Sequence, residues 1–285
     1  MRALETPQTP QTPARGWDCH VHVFDASAPV RPGHYLPTHW PLSTIERLAA
    51  RHGVGHLVLV QPSVYGSDNT VLLRALAAGQ GRHRGIAVVD PAVDELEIDR
   101  LHAAGVRGVR FNLVSPAGHA GDAASVAADL HRLAPKLRAR GWQVQWYVQA
   151  AALPQLVGWQ AATGLRFVLD HLAGLDAGLP DNHPAWAAAQ ALADGGAWIK
   201  LSGWYRLGAA APYATLLPTL RRAAAMFGPR TVWGSDWPHT HFAADQLPPY
   251  ESILSPVRAA LGADVLDAVI HHHPHSLFAE STVST

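Results

Sequence analysis

The sequence predicts a single (β/α)8 TIM barrel, and three observations carry the prediction. Eight short segments of strand-like composition recur along the chain. Their starts lie 21 to 39 residues apart, which leaves room for one helix and two loops between neighbours. The Gly-x-Gly-x-x-Gly turn that would follow the first strand of a dinucleotide-binding open sheet is absent. Strand and helix repeated eight times without a break in composition gives a parallel sheet with crossover helices, and eight repeats favour closure.

The first predicted strand is Trp17–Phe24 (WDCHVHVF) and the second is His56–Gln61 (HLVLVQ). Between them Ser43-Thr-Ile-Glu46 has the form of a capping box, in which a hydroxyl and a carboxylate satisfy the free amides at a helix start. Strands three to five are Gly85–Asp90, Val106–Leu113 and Gln143–Val148, and strands six to eight are Arg166–Leu172, Ala197–Gly203 and Thr231–Trp237. The gaps are rich in Ala and Leu, and several close on a glycine such as Gly164 or Gly195, the residue a left-handed helix cap prefers. Residues 1–16 contain TPQTPQTP, lack the apolar run of a secretory signal, and read as a disordered leader. Residues 17–285 then form one barrel domain.

Composition bounds the function. At 285 residues the usual prior of about 150 residues per domain would suggest two domains, but barrels reach about 250 as one unit. Hydrophobic residues make up 48% and charged residues 15%, enough apolar surface to exclude intrinsic disorder. Lys+Arg and Asp+Glu both number 22, so the basic excess of a nucleic-acid or membrane-surface binder is missing. No apolar run reaches membrane-spanning length. One cysteine, Cys19, allows no internal disulfide and points to a reducing, cytoplasmic setting. The sequence leaves open whether the chain is a homo-oligomer. Its excess lies in 18 His and 10 Trp.

Barrel active sites sit at the carboxyl ends of the strands. His20 and His22 flank Val21 on the first strand, so alternation turns both imidazoles to the same side. The sixth strand ends in Leu169-Asp170-His171 and the eighth in Gly234-Ser235-Asp236-Trp237-Pro238. Closure would bring His20, His22, His171 and Asp236 to one cavity. Such a set can grip a metal ion or polarise one oxygen. By the same alternation Cys19 should point into the helix layer, and Asp170 should serve the barrel wall. His271-His-His-Pro-His275 reads as a loop at a helix start, and His239 follows Asp236 closely enough to reach the pocket.

These motifs resemble the amidohydrolase superfamily, in the group that contains 2-pyrone-4,6-dicarboxylate lactonase and related lactonases. The resemblance runs from Asp18 to about Phe278. It rests on DCHVHVFD (Asp18–Asp25), LVQPSVYGSDN (Leu59–Asn69), GVRGVRFN (Gly105–Asn112), LDHL (Leu169–Leu172), KLSGWYR (Lys200–Arg206) and WGSDWPH (Trp233–His239). It implies that His20, His22 and His171 surround the carbonyl oxygen of a lactone and that Asp236 takes a proton from the attacking water. It further implies that Arg110 and Arg206 hold a substrate carboxylate, that Ser63 donates a hydroxyl, and that Tyr35 lines the first loop.

Two departures from the wider superfamily matter. Metal-dependent relatives add a histidine on the fifth strand, and dinuclear ones a bridging carboxylate or modified lysine on the fourth. Here those strands offer Gln145, Tyr147, Gln149 and Arg110. A guanidinium opposes a second cation by charge repulsion. One Zn2+ on His20, His22, His171 and Asp236 fits by ligand type and count, yet the lactonase branch is metal-independent, so no cofactor is expected to be required. The second departure is Pro116, which stands where the dicarboxylate lactonase has a further arginine. The substrate is then expected to be a carboxylate-bearing or sugar-acid lactone, a ring that Trp146, Trp204 and Tyr205 either wall or leave to core packing. The expected activity is lactone hydrolysis. Alternatives are a zinc-dependent decarboxylase, a lactone isomerase, and a histidine-rich metal-binding barrel with no catalytic role.

Overall fold

The computed structural model describes residues 14–32, 35–115, 118 and 121–278. Eight strands form one parallel sheet in sequence order: β1 (Gly16–Val21), β2 (Val54–Val60), β3 (Arg84–Ala87), β4 (Val106–Asn112), β5 (Gln143–Tyr147), β6 (Phe167–Leu169), β7 (Trp198–Leu201) and β8 (Thr231–Trp233). Each of the eight predicted segments holds a strand, and each strand ends before its predicted bound, the last residues leaving the sheet for the turns above it. The seam between β8 and β1 closes through a parallel bridge at Val21 and Trp237. There His22 N donates to Trp237 O and Asp236 N donates to His20 O, both at 2.8 Å. The hydrogen bonds that shut the barrel therefore set His20, His22 and Asp236 side by side.

Helices α1 (Leu42–Ala50), α2 (Thr70–Ala78), α3 (Glu95–Ala103), α4 (Ala123–Ala139), α5 (Leu153–Thr163), α6 (Pro184–Asp194) and α7 (Leu217–Phe227) cross between strands. After β8 come α8 (Tyr250–Leu261), α9 (Ala263–Asp267), a π-helical turn at Ala268–His272 and α10 (His273–Phe278). Their apolar faces and the outward faces of the strands make the larger core. No helix among the described residues is long and apolar enough to cross a membrane.

The lumen holds a smaller core of Trp17, Cys19, Val58, Val60, Ile86, Val168, Trp198 and Val232. Leu277 and Phe278 of α10 plug its lower mouth, where the Phe278 ring stacks on Trp17 at 5.4 Å. Cys19 thus faces the lumen and not the helix layer. The reason is an irregularity in β1: Asp18 pairs with Leu57 and Val21 with Leu59, so three residues of one strand step against two of the other. A bulge of this kind breaks alternation. Asp18, on the other side, ties the seam from behind. Its Oδ1 accepts from the amides of His20 and Ser235 at 3.1 and 2.9 Å, and its Oδ2 accepts from Tyr250 Oη at 2.8 Å.

Three local expectations are corrected. Helix α1 starts at Leu42 behind Pro41, with no side-chain cap, so Ser43 lies inside the helix and no capping box forms. Gly195 keeps a right-handed φ of −73°, and the next residue, Gly196, takes the left-handed conformation. The run His271–His275 is helical throughout, split between the π turn and α10, and both His271 and His272 contact the Asp267 carboxylate. Pro116 and most of the leader, like His34 and His119, lie outside the described residues.

Candidate active site

At the carboxyl end of the barrel the Nε2 atoms of His22, His20 and His171 lie 3.5, 3.6 and 3.9 Å from one atom, Asp236 Oδ1. All four residues are buried. They come from β1 and from the turns that follow β1, β6 and β8. Gly234 makes the approach fit, because a Cβ there would stand 2.6 Å from that of His20. The chain turns left-handed at His171, Leu172 and Ala173. That turn ends alternation after Leu169 and lets Asp170 and His171 both face inward. Asp170 is therefore part of the site and not of the barrel wall.

The far oxygen of Asp236, Oδ2, accepts from Tyr205 Oη at 2.5 Å and from Arg206 Nε. Oδ1 is left with no hydrogen-bond partner, as is His171 Nε2. Burial alone would raise the Asp236 pKa, but Arg206 and the facing imidazoles outweigh it and hold the carboxyl well below its ordinary range. Burial drives the imidazoles the other way, His171 to about 3, and lowers both His20 and His22. At neutral pH the site is a carboxylate ringed by neutral imidazoles. His22 Nδ1 lies 2.8 Å from the Val60 carbonyl, which can only accept, so Nδ1 carries the hydrogen and Nε2 presents a lone pair.

Below the imidazoles is a group the sequence reading did not single out. Lys200 of β7 is fully buried, with Nζ 2.6 Å from Gln145 Oε1, 3.0 Å from Asp170 Oδ1 and 3.1 Å from His20 Nδ1. Asp170 Oδ2 accepts from Arg110 Nε at 3.0 Å. The available signal was a charged residue in the middle of an apolar strand of a buried parallel sheet, where lone charges are costly.

Above the cluster opens a cavity lined by His22, Phe24, Tyr35, Ser63, Arg110, Asn112, Tyr147, Arg206 and Thr240 among others. Every residue expected to bind substrate is on this wall. Arg110 and Arg206 place their guanidinium carbons 5.3 and 5.7 Å from the Tyr147 ring centroid. Ser63 Oγ accepts from Asn112 Nδ2 at 2.7 Å, which leaves its own hydrogen for a ligand. Tyr35 stands half exposed at the rim. Trp146 does not line the cavity: it stacks on Phe111 and packs at a tilt against Trp159 and Phe167 in the outer core. Trp204 is buried too, with its indole N–H given to Ile253 O at 2.9 Å. Tyr205 meets Asp236 instead of walling a ring. His239 packs edge-on to Tyr205, buried, with both ring nitrogens unpartnered and its pKa pushed down by burial to about 4.

His20, His22 and Asp236 lie close enough to share a metal ion, and Asp236 Oδ1 and His171 Nε2 are orphaned as ligand atoms would be. A metal-binding imidazole normally gives its other N–H to a carboxylate or carbonyl. His22 does so, whereas His20 Nδ1 lies 3.1 Å from the Lys200 ammonium and 3.4 Å from the Asp170 carboxylate.

Residues 17–278 match the amidohydrolase family model. A 2-pyrone-4,6-dicarboxylate hydrolase of Comamonas testosteroni is 30% identical over 260 residues, 85% of this chain and 83% of its own. A 4-sulfomuconolactone hydrolase of Rhizobium radiobacter is 28% identical over 271 residues, 93% and 89% of the two chains. The solved structure of a candidate 2-pyrone-4,6-dicarboxylic acid hydrolase from Pseudomonas putida superposes with a TM-score of 0.82 at 30% identity, covering 94% of this chain and 98% of that one. The chain belongs to the amidohydrolase family.

Proposed function

We propose that the protein hydrolyses a carboxylate-bearing lactone, with Asp236 as the base that activates water. The observation that carries this reading is the pairing of an orphaned, anionic Asp236 Oδ1 with neutral imidazoles, directly beneath a cavity whose wall holds two arginines. Similarity to proteins named as pyrone-dicarboxylate and sulfomuconolactone hydrolases supports the substrate class.

The lactone ring enters over Tyr147 with its carboxylate on Arg110, whose Nε is anchored on Asp170 and whose terminal nitrogens are left for the cavity it lines. Arg110 and carboxylate can pair through two parallel bonds. The lactone carbonyl oxygen points down at the imidazoles. Water attacks the carbonyl carbon, and Asp236 takes its proton through Oδ1, held in place by Tyr205 and Arg206 on Oδ2. Charge building on the carbonyl oxygen is met by imidazole N–H groups, each well-placed donor being worth about 3–4 kcal/mol in comparable sites. His20 and His171 supply those donors. The proton then passes from Asp236 to the departing ring oxygen, and the lactone opens to a hydroxy acid or its keto tautomer. No step is assigned to a metal.

The test is turnover of carboxylate-bearing against neutral lactones by the chelator-treated enzyme. Turnover confined to the carboxylate-bearing members supports the reading, and equal turnover of both sinks the arginine assignment.

A further inference from the structure

Lys200 lies beneath the imidazoles, wholly buried, and the reaction outlined above gives it no task. An ammonium has three N–H bonds and no lone pair. Its hydrogen bonds run to Gln145 Oε1 at 2.6 Å and His20 Nδ1 at 3.1 Å, and it faces Asp170 Oδ1 at 3.0 Å as an ion pair. Since the ammonium can only donate, its bond to His20 requires a lone pair on Nδ1. The opposite arrangement, an Nδ1–H aimed at Asp170 Oδ1, spans a longer 3.4 Å and sets that N–H against the ammonium. A neutral imidazole without hydrogen on Nδ1 carries it on Nε2.

His22 has the reverse arrangement, fixed by the Val60 carbonyl. The two Nε2 atoms face each other at 3.2 Å, a separation that suits an N–H against a lone pair. Two N–H groups or two lone pairs would repel there. The pair of readings, one from Lys200 and one from Val60, agrees at this contact.

We propose that Lys200 is a positioning residue that holds His20 as its Nε2-protonated tautomer, so that of the two histidines on β1 one faces the substrate as a hydrogen-bond donor and the other as an acceptor. The use of that donor, to meet charge on a lactone oxygen, rests on the lactonase reading; the tautomer itself does not. The same contact takes neutral His20 out of any metal-ligand set, since a ligand nitrogen must present a lone pair. Removing Lys200 should therefore restore it.

Long-range 1H–15N spectra of uniformly labelled protein separate protonated from unprotonated ring nitrogens, and His20 is assigned by the signal lost in His20→Gln. The expected wild-type result is a protonated Nε2 and a bare Nδ1. In Lys200→Met, which matches the side chain as far as Cε and removes every donor, the hydrogen should move to Nδ1, facing Asp170. Zinc affinity measured by calorimetry should then rise tenfold or more. A wild-type His20 protonated on Nδ1 overturns the proposal, as does an unchanged tautomer in a natively folded Lys200→Met. If that variant fails to fold, the wild-type spectrum alone decides. None of these readouts uses a lactone, so absence of turnover would sink the lactonase reading and leave this result standing.

Discussion

Replacing Asp236 by Asn separates the base from everything else the residue does. Its Oδ2 accepts from two donors, Tyr205 Oη and Arg206 Nε. An amide at this position turns its only acceptor, the oxygen, towards that pair. Its NH2 group then occupies the Oδ1 place, opposite the three Nε2 atoms, where it can donate but cannot take a proton. The fold should survive, because the new NH2 meets the His22 lone pair and both outer bonds persist; the weakened Arg206 contact costs about 1–3 kcal/mol. Turnover should not survive. Loss of a positioned general base typically costs about 10²–10⁴-fold, equivalent to roughly 3–5 kcal/mol of barrier. The assay is the initial rate of acid release on a lactone that the wild type opens, with circular dichroism as the check on folding. A folded Asp236→Asn with kcat within tenfold of wild type would refute the base assignment.

Further expectations follow from the same geometry. Arg110→Met should raise KM for carboxylate-bearing lactones by about 10- to 100-fold, the range for one lost charge-assisted bond, and leave neutral lactones unaffected; an equal loss on both would refute the clamp. Tyr205→Phe should lower kcat by about tenfold, the worth of one bond to a charged group, because Arg206 still holds Asp236; a loss as deep as that of Asp236→Asn would show that the hydroxyl itself acts in the reaction. Acid should destabilise the fold. Burial depresses the pKa of His171 to about 3 and of His239 to about 4, so their contribution is present above the unfolded value of 6.5 and is lost as pH falls towards the folded values. Between pH 7 and pH 5 each loses about 2 kcal/mol by linkage. Asp18, which burial raises to about 6, has the opposite sign and regains part of this loss over the same interval. Chemical denaturation at both pH values measures the balance, and a fold more stable at pH 5 would contradict it.

Much of this was legible in the residues. A parallel barrel needs strands buried on both faces, so β2 stands out by its apolar run, and the polar residues at the carboxyl ends of β1, β6 and β8 mark the site. Two of the differences, Cys19 and Asp170, share one cause: strand alternation fails where the backbone is irregular. The bulge in β1 turned Cys19 inward, and the left-handed turn after β6 turned Asp170 inward along with His171. Lys200 sat inside a quoted motif without a role, since nothing in one sequence says that its partners come from β1, β5 and β6. The contact of Tyr205 with Asp236 is illegible in the sequence because the helical turn Trp204–Leu207 that swings it there leaves no pattern of its own.

The most direct test of the account is acid release by the chelator-stripped protein across 2-pyrone-4,6-dicarboxylate, muconolactones and aldonic and aldaric acid lactones. The account predicts release from one or more carboxylate-bearing lactones at a rate that added zinc does not raise. Silence until zinc is added, or ring migration with no acid released, would contradict it.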